Sequence, residues 1–329
     1  MHNEIDVSAE SRSPTELMTT LITNSPKKAA EVIRLGGLVA FPTETVYGLG
    51  ADVFNEAAIA KIFEAKMRPA DNPLIAHVAN EGQIVELATA ITESAKKFID
   101  TFFPGPLTLV LQKAQAVPDI ATAGLDSIGV RMPRNQLAKD FLKKCGTPVV
   151  APSANLSGRP SPTTWQAVLE DLDGRIDCIL QGEGTEIGLE STVVDCRTEI
   201  PLVLRLGAVS FEELRSVVRS TAVATAESKG EIRSPGLRHK HYAPKAQVVI
   251  YKFDETITGG RAAFIGYKTA RVQFAYTKIV ADVDEYAREL YEFFRECDRR
   301  DIRIIYCESV DETGVGAALM DRIRRAAEA

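Results

Sequence analysis

Short unbroken apolar runs alternate with apolar faces at helical spacing along the chain. Runs of three to five residues read as strands: Leu38–Phe41, Leu74–Val78, Leu107–Leu111, Ile128–Met132, Val149–Ala151, Thr192–Asp195 and Leu202–Leu206. Between them lie helices. Ser25-Pro26 supplies an N-cap and a first-turn proline for a helix whose face is Ala29, Ala30, Val32 and Ile33, ended by Gly36-Gly37. Asn55 caps a second helix with Ile59, Ile62 and Phe63 on one face, which runs to Lys66 and stops before Pro69. Further helices are predicted over Glu93–Phe103, Gln136–Lys144, Thr163–Leu172 and Phe211–Arg219. Strands and helices without strict alternation predict an α/β sheet with both parallel and antiparallel neighbours.

The pattern lapses over Ser220–Ala246, where STAVATAESKGEI is small, polar and aperiodic and runs into the rigid, basic SPGLRHKHYAPKA. A second pattern follows. Val248–Tyr251, Ala262–Tyr267 and Arg303–Glu308 read as strands, Val283–Arg299 as an amphipathic helix with Tyr286, Leu290, Phe293, Phe294 and Cys297 in phase, and Val315–Ala327 as a closing helix. The expected organisation is a disordered N-terminus over 1–14, a first domain over 15–219, a linker over 220–246 and a second α/β domain over 247–329.

Composition narrows the class. The net charge of −6 argues against a broad electrostatic grip on nucleic acid. No apolar run approaches the roughly 20 residues of a membrane span, and the N-terminus lacks an apolar leader, which predicts a cytoplasmic protein. Five widely spaced cysteines without a CxxC predict reduced, buried thiols. GxxxxGK[ST], GxGxxG, HExxH and GxSxG are all absent, which removes the usual kinase, dehydrogenase, zinc-protease and α/β-hydrolase readings.

What remains is polar equipment at strand ends. Leu38–Phe41 stops at Pro42, and Thr43, Glu44, Thr45 and Tyr47 follow. Lys66, Arg68 and His77 come next, then Arg131 inside SIGVRMP, Ser153, Asn155, Ser157 and Ser161 after the strand ending at Ala151, Glu190 and Ser191 before another, Arg205 at the end of VLRLG, and finally HKHYAP. Each has a bland reading. Lys66 and Arg68 complement a helix C-terminus. Arg131 suits a half-exposed strand as well as a site, and His77 suits a satisfied core histidine. Together, however, basic groups and small hydroxyls at strand ends suit phosphate and carboxylate recognition. Two unit charges about 4 Å apart interact by roughly 4 kcal/mol at an effective dielectric near 20, so converging cations can hold a triphosphate without a phosphate-binding loop.

FPTETVYGLG, KMRPADNPLIAH, PGPLTLVL, AGLDSIGVRMP, APSANLSGRPSPT, GLESTVVD, LRLG and SPGLRHKHYAP, in this order, resemble the threonylcarbamoyl-AMP synthase family, built on the YrdC-like domain. The likeness covers about Ala29 to Pro244, and the remainder resembles the extra domain of the family's long form. Leu206 stands where the family usually has proline, and Leu237 where methionine is common. The resemblance implies a YrdC-like twisted mixed sheet with flanking helices plus a smaller Rossmann-like α/β domain. It implies synthesis of threonylcarbamoyl-adenylate and pyrophosphate from L-threonine, bicarbonate and ATP with Mg²⁺, for a separate transferase that modifies tRNA. By motif position, Thr43, His77, Arg131, Ala151 and Ser191 would contact threonine. Lys66, Arg68, Asn72, Ser127, Ser153, Asn155, Ser161, Arg205 and Tyr242 would surround ATP, with Lys66 and Arg68 as catalytic groups and the linker as a lid. No residue is expected to ligate a metal directly.

Two other classes compete. A non-catalytic RNA-binding module would place the same cations on a concave face, against the acidic overall charge and without a base-stacking motif. A carbamoyl or adenylyl transferase with another acceptor would share the first domain. Pyrophosphate release that needs both threonine and bicarbonate separates the synthase from both.

Overall fold

The computed structural model describes residues 19–224, 243–252, 260–267 and 272–328. The expected disordered N-terminus, most of the linker and Tyr242 lie outside the described residues.

Local capping sets the helices. Ser25 accepts from the Lys28 amide and Pro26 opens Pro26–Arg34. Asn55 caps Glu56–Lys66, which closes on Met67 in the left-handed region at φ 49° with the Arg68 amide on the Phe63 carbonyl. Ser210 and Glu213 form a reciprocal capping box for Phe211–Val217. Most of the other expected elements appear within two residues of their predicted bounds.

Among the described residues the first domain is built on a twelve-stranded mixed sheet. Its order is Leu21–Thr23, Cys178–Leu180, Val39–Phe41, Gly48–Asp52, Val149–Val150, Ile75–His77, Ser127–Arg131, Leu107–Lys113, Thr192–Asp195, Leu202–Arg205 and Ala222–Val223, with Ala88–Ala90 added beside Leu107–Lys113. Ile75–His77 and Ser127–Arg131 run parallel, with His77 opposite Arg131. Thr192–Asp195 runs parallel to Leu107–Lys113 and antiparallel to Leu202–Arg205. Ala222–Val223, expected at the start of the linker, instead forms an edge strand against Leu202 and Val203.

The second domain is a four-stranded parallel sheet in the order Gln247–Tyr251, Ile304–Glu308, Gly260–Gly266, Phe274–Ile279. Its helices Val283–Arg299 and Val315–Ala327 pack with Tyr286, Leu290, Phe294, Leu319 and Ile323 buried. This core does not end at the domain border, because Val46 and Leu189 of the first domain belong to it. The two backbones touch at Gly188, which sits at φ 82°; a Cβ there would lie 2.4 Å from the Arg288 Cα. No helix of the described residues is long and apolar enough to cross a membrane. All five cysteines are free and buried.

Candidate active site

The strands that carry the expected polar groups end around one cavity of about 700 Å³, counted with its open mouth. Thr43, Arg68, His77, Arg131, Ala151, Ser153, Asn155, Ser161, Ser191 and Arg205 line it, together with Thr45, Arg159 and Glu190. Four arginines against one carboxylate make it a site for an anion.

One end is organised around Arg131. Its Nη2 donates to Glu44 Oε1 at 2.7 Å, Nη1 to Thr45 Oγ1 at 2.8 Å and Nε to the Gly105 carbonyl at 3.3 Å. Glu44 in turn accepts the Arg134 and Asn135 amides on Oε2. Three of the five guanidinium N–H groups are thus spent on the protein, leaving one on each terminal nitrogen for a ligand carboxylate. Thr43 turns its own loop, donating to the Val46 carbonyl at 2.8 Å with its Oγ1 also 2.8 Å from that of Thr45. Tyr47 has a structural role: its hydroxyl donates to the Gly182 and Glu183 carbonyls and accepts the Gly182 amide.

His77 stacks edge-on against Phe41 with Nδ1 3.2 Å from the Ile75 carbonyl. Burial first, and the Arg131 charge second, hold its pKa down at about 3. The ring is therefore neutral at physiological pH. An unfolded-state histidine takes up its proton near pH 6.5, so the unfolded chain binds one more proton than the folded one between there and about pH 3. Stability should fall through that window by up to ~1.4 kcal/mol per pH unit from this group. Denaturant melts of His77→Gln against the parent should show a shallower loss on acidification; parallel slopes would refute a neutral buried ring.

The other end is built on the Ser153–Ser161 loop. Its backbone is stitched to the first strands by Leu49 N to the Pro152 carbonyl, Ala154 N to the Tyr47 carbonyl and Tyr47 N to the Pro162 carbonyl. Lys66 holds it from behind. Nζ donates to the Ser153 carbonyl at 2.5 Å and to the Asn155 carbonyl, while the Lys66 carbonyl accepts the Ser157 amide. Burial first and Arg68 second lower the Lys66 pKa well below its ordinary value, Asp171 opposing. Two N–H donors suffice for two carbonyls, so the amine serves here in either protonation state.

Asn155 donates to the Leu156 and Arg159 carbonyls, and its Oδ1 has no partner among the described residues. Ser157 Oγ and both polar atoms of the Asn72 side chain are likewise buried and unpartnered there. Of these, Asn155 lines the cavity, and a buried acceptor left in this condition is what a polar ligand satisfies.

Arg205 closes the cavity beside Ser191, with Nη2 2.9 Å from the Ser191 carbonyl and 3.2 Å from its Oγ, which also meets Thr108 Oγ1 at 2.7 Å. Gly207 makes this corner passable, since a Cβ there would lie 2.4 Å from the Glu190–Thr192 backbone.

Three expected residues stand apart from the lining. Lys66 and Asn72 sit behind it, and Ser127 opens its strand opposite Gln112, four residues before Arg131. Glu44, which holds Arg131, and the lining residues Thr45, Arg159 and Glu190 are positions that spacing alone did not assign. The available signal for Glu44 was a carboxylate set among hydroxyls directly after an apolar strand; in the fold it is only 1% exposed. Among the described residues no group of three or more His, Cys, Asp or Glu is placed to hold a metal.

The Sua5/YciO/YrdC family profile, described as "Telomere recombination", matches residues 31–207, and the profile for the threonylcarbamoyl-AMP synthase C-terminal domain matches 209–328. The chain belongs to this family. A threonylcarbamoyl-AMP synthase of Pyrococcus abyssi is 42% identical over 91% of this chain and 92% of its own length. One of Bacillus subtilis is 40% identical over 93% and 94%. The crystal structure of P. abyssi Sua5 complexed with L-threonine superposes with a TM-score of 0.84 at 38% identity, covering 94% of this chain and 97% of that one. Both domains thus follow the long form of the Sua5 family, and the twisted mixed sheet with flanking helices is the expected fold. The chain is a nucleotidyltransferase-type enzyme of the kind that makes threonylcarbamoyl-AMP.

Proposed function

We propose that the cavity binds L-threonine at its Arg131 end and ATP at its Arg205 end, and joins them through bicarbonate. The two Arg131 N–H groups that the protein leaves unspent carry the reading: they suit the threonine carboxylate, with neutral His77, Thr43, Ala151 and Ser191 around the rest of the amino acid. Arg68, Arg205, Ser153, Asn155 and Ser161 face the nucleotide, and Asn72 and Lys66 support them from behind. The threonine amine, once neutral, attacks the bicarbonate carbon; a C–O bond breaks, water leaves with the amine proton, and a carbamate forms. A carbamate oxygen then attacks the α-phosphate and pyrophosphate leaves.

Arginines aimed where phosphate charge grows stabilise that step by roughly 3 kcal/mol per group. Positioning two substrates in one cavity supplies the rest without a dedicated base. Both carboxylates at the site, Glu44 and Glu190, are held by arginines. The described residues therefore do not fit a protein-held Mg²⁺, and the cation enters as a companion of the triphosphate. The product passes to a separate tRNA threonylcarbamoyl transferase in the cytoplasm.

The test is product mass spectrometry with a pyrophosphate assay. The expected mass is that of threonylcarbamoyl-AMP, with pyrophosphate release requiring both threonine and bicarbonate. Equal release without threonine would overturn the assignment.

A further inference from the structure

The second domain reaches the cavity wall through three buried side chains. Glu190 lines the cavity, yet its partners come largely from that domain. Arg322, fully buried, donates from Nε to Glu190 Oε2 at 2.8 Å and from Nη2 to the Leu206 carbonyl at 2.9 Å. The Tyr291 hydroxyl lies 3.1 Å from both Glu190 oxygens. Glu190 Oε1 in turn accepts from Ser161 Oγ at 2.8 Å, at the end of the Ser153–Ser161 loop. Arg295, 1% exposed, adds a second hold, donating to the Pro160 carbonyl and to both oxygens of Asp171. Asp171 accepts the Leu156 amide and pairs with Arg159 in that same loop.

The charge balance gives this contact its meaning. Burial alone would push the Glu190 carboxyl up, but Arg322 and Arg205 outweigh it and hold the group below the usual carboxylate range. Glu190 is therefore an anion in the wall of an anion-binding cavity. Left bare, it would repel phosphates and occupy Arg205 as a counter-ion. With Arg322 and Tyr291 on it, it serves as an acceptor that orients Ser161.

We infer that the second domain is a working part of the nucleotide site: Arg322 and Tyr291 neutralise and orient Glu190, and with Arg295 they position the Ser153–Ser161 loop. These are positioning residues, and the inference rests on ATP occupying the Arg205 end.

Titration calorimetry with ATP on full-length variants tests it, alongside amide exchange of residues 153–161 in ligand-free protein. Arg322→Gln should weaken ATP binding by at least about tenfold, because the bare Glu190 charge now faces the phosphates. Adding Glu190→Gln should recover most of that loss, a rescue that a purely structural role would not produce. Tyr291→Phe should cost about threefold and decides the matter if Arg322→Gln does not fold. Both single variants should exchange faster over 153–161. Affinity within twofold of the parent, or a double variant no tighter than Arg322→Gln, overturns the inference. If the parent itself holds no ATP, the proposed function fails, and the exchange data still decide the positioning role, unchanged rates refuting it.

Discussion

Arg131→Ala should abolish threonine binding and destabilise the fold at once. Each remaining Arg131 N–H given to a ligand carboxylate is a charge-assisted bond worth roughly 1.5–3 kcal/mol. Losing two of them weakens threonine about 10²–10³-fold or more. The same change strands Glu44, 1% exposed, without the guanidinium 2.7 Å away. Breaking one side of a buried pair costs about 3–5 kcal/mol. Calorimetry with threonine and a urea melt separate the two effects. Arg131→Met combined with Glu44→Gln should recover much of the stability, since a glutamine oxygen still accepts the Arg134 and Asn135 amides, and should recover none of the binding. If the double variant binds threonine, Arg131 is not its anchor.

Lys66→Met should cost about 10²–10³ in turnover while leaving threonine affinity within a few-fold. The Ser153 and Asn155 carbonyls lose their donor, each at ~1–3 kcal/mol when buried. The loop that carries Ser153, Asn155 and Ser161 then loses its backing, whereas Arg131 and His77 sit on other strands. Limited proteolysis should cut the variant within residues 153–161. A variant that loses ATP but keeps this loop as protected as the parent would mean that Lys66 acts on the phosphates directly.

Much of this architecture was legible in the residues. Apolar runs such as Leu107–Leu111 and Ile128–Met132 became strands because burial on a sheet is what such runs require. The helix faces at Ile59, Ile62 and Phe63 and at Tyr286, Leu290 and Phe294 became cores for the same reason. Gly48–Asp52 was not legible as a strand, since GLGAD has little intrinsic preference for one and is held by pairing to Val39–Phe41 and Val149–Val150. Leu21–Thr23 and Ala222–Val223 are edge strands of three and two residues, defined by their neighbours alone.

The site divided along similar lines. Arg131 and Arg205 line the cavity, whereas their isolation among apolar residues suited a half-exposed strand equally well. Lys66 stood out on an apolar helix face, but spacing could not say whether its ammonium met a ligand or a loop. Arg295 and Arg322 lie in FFRECDRR and MDRIRR, where spacing does not set them apart from the arginines around them. Only the docking of one domain on the other distinguishes them from the exposed Arg299 and the half-buried Arg324.

The five cysteines carry a practical consequence. Burial pushes the Cys145, Cys178 and Cys307 thiols up to about 12 and those of Cys196 and Cys297 higher still. Three sit in the first domain and two in the second. A folded chain should thus resist alkylation without protective reagents. Each thiol that does react timestamps the opening of its own domain. Mass-resolved labelling along a heat ramp would then read whether the first domain and the second-domain core, which takes in Val46 and Leu189 of the first, come apart together or in turn.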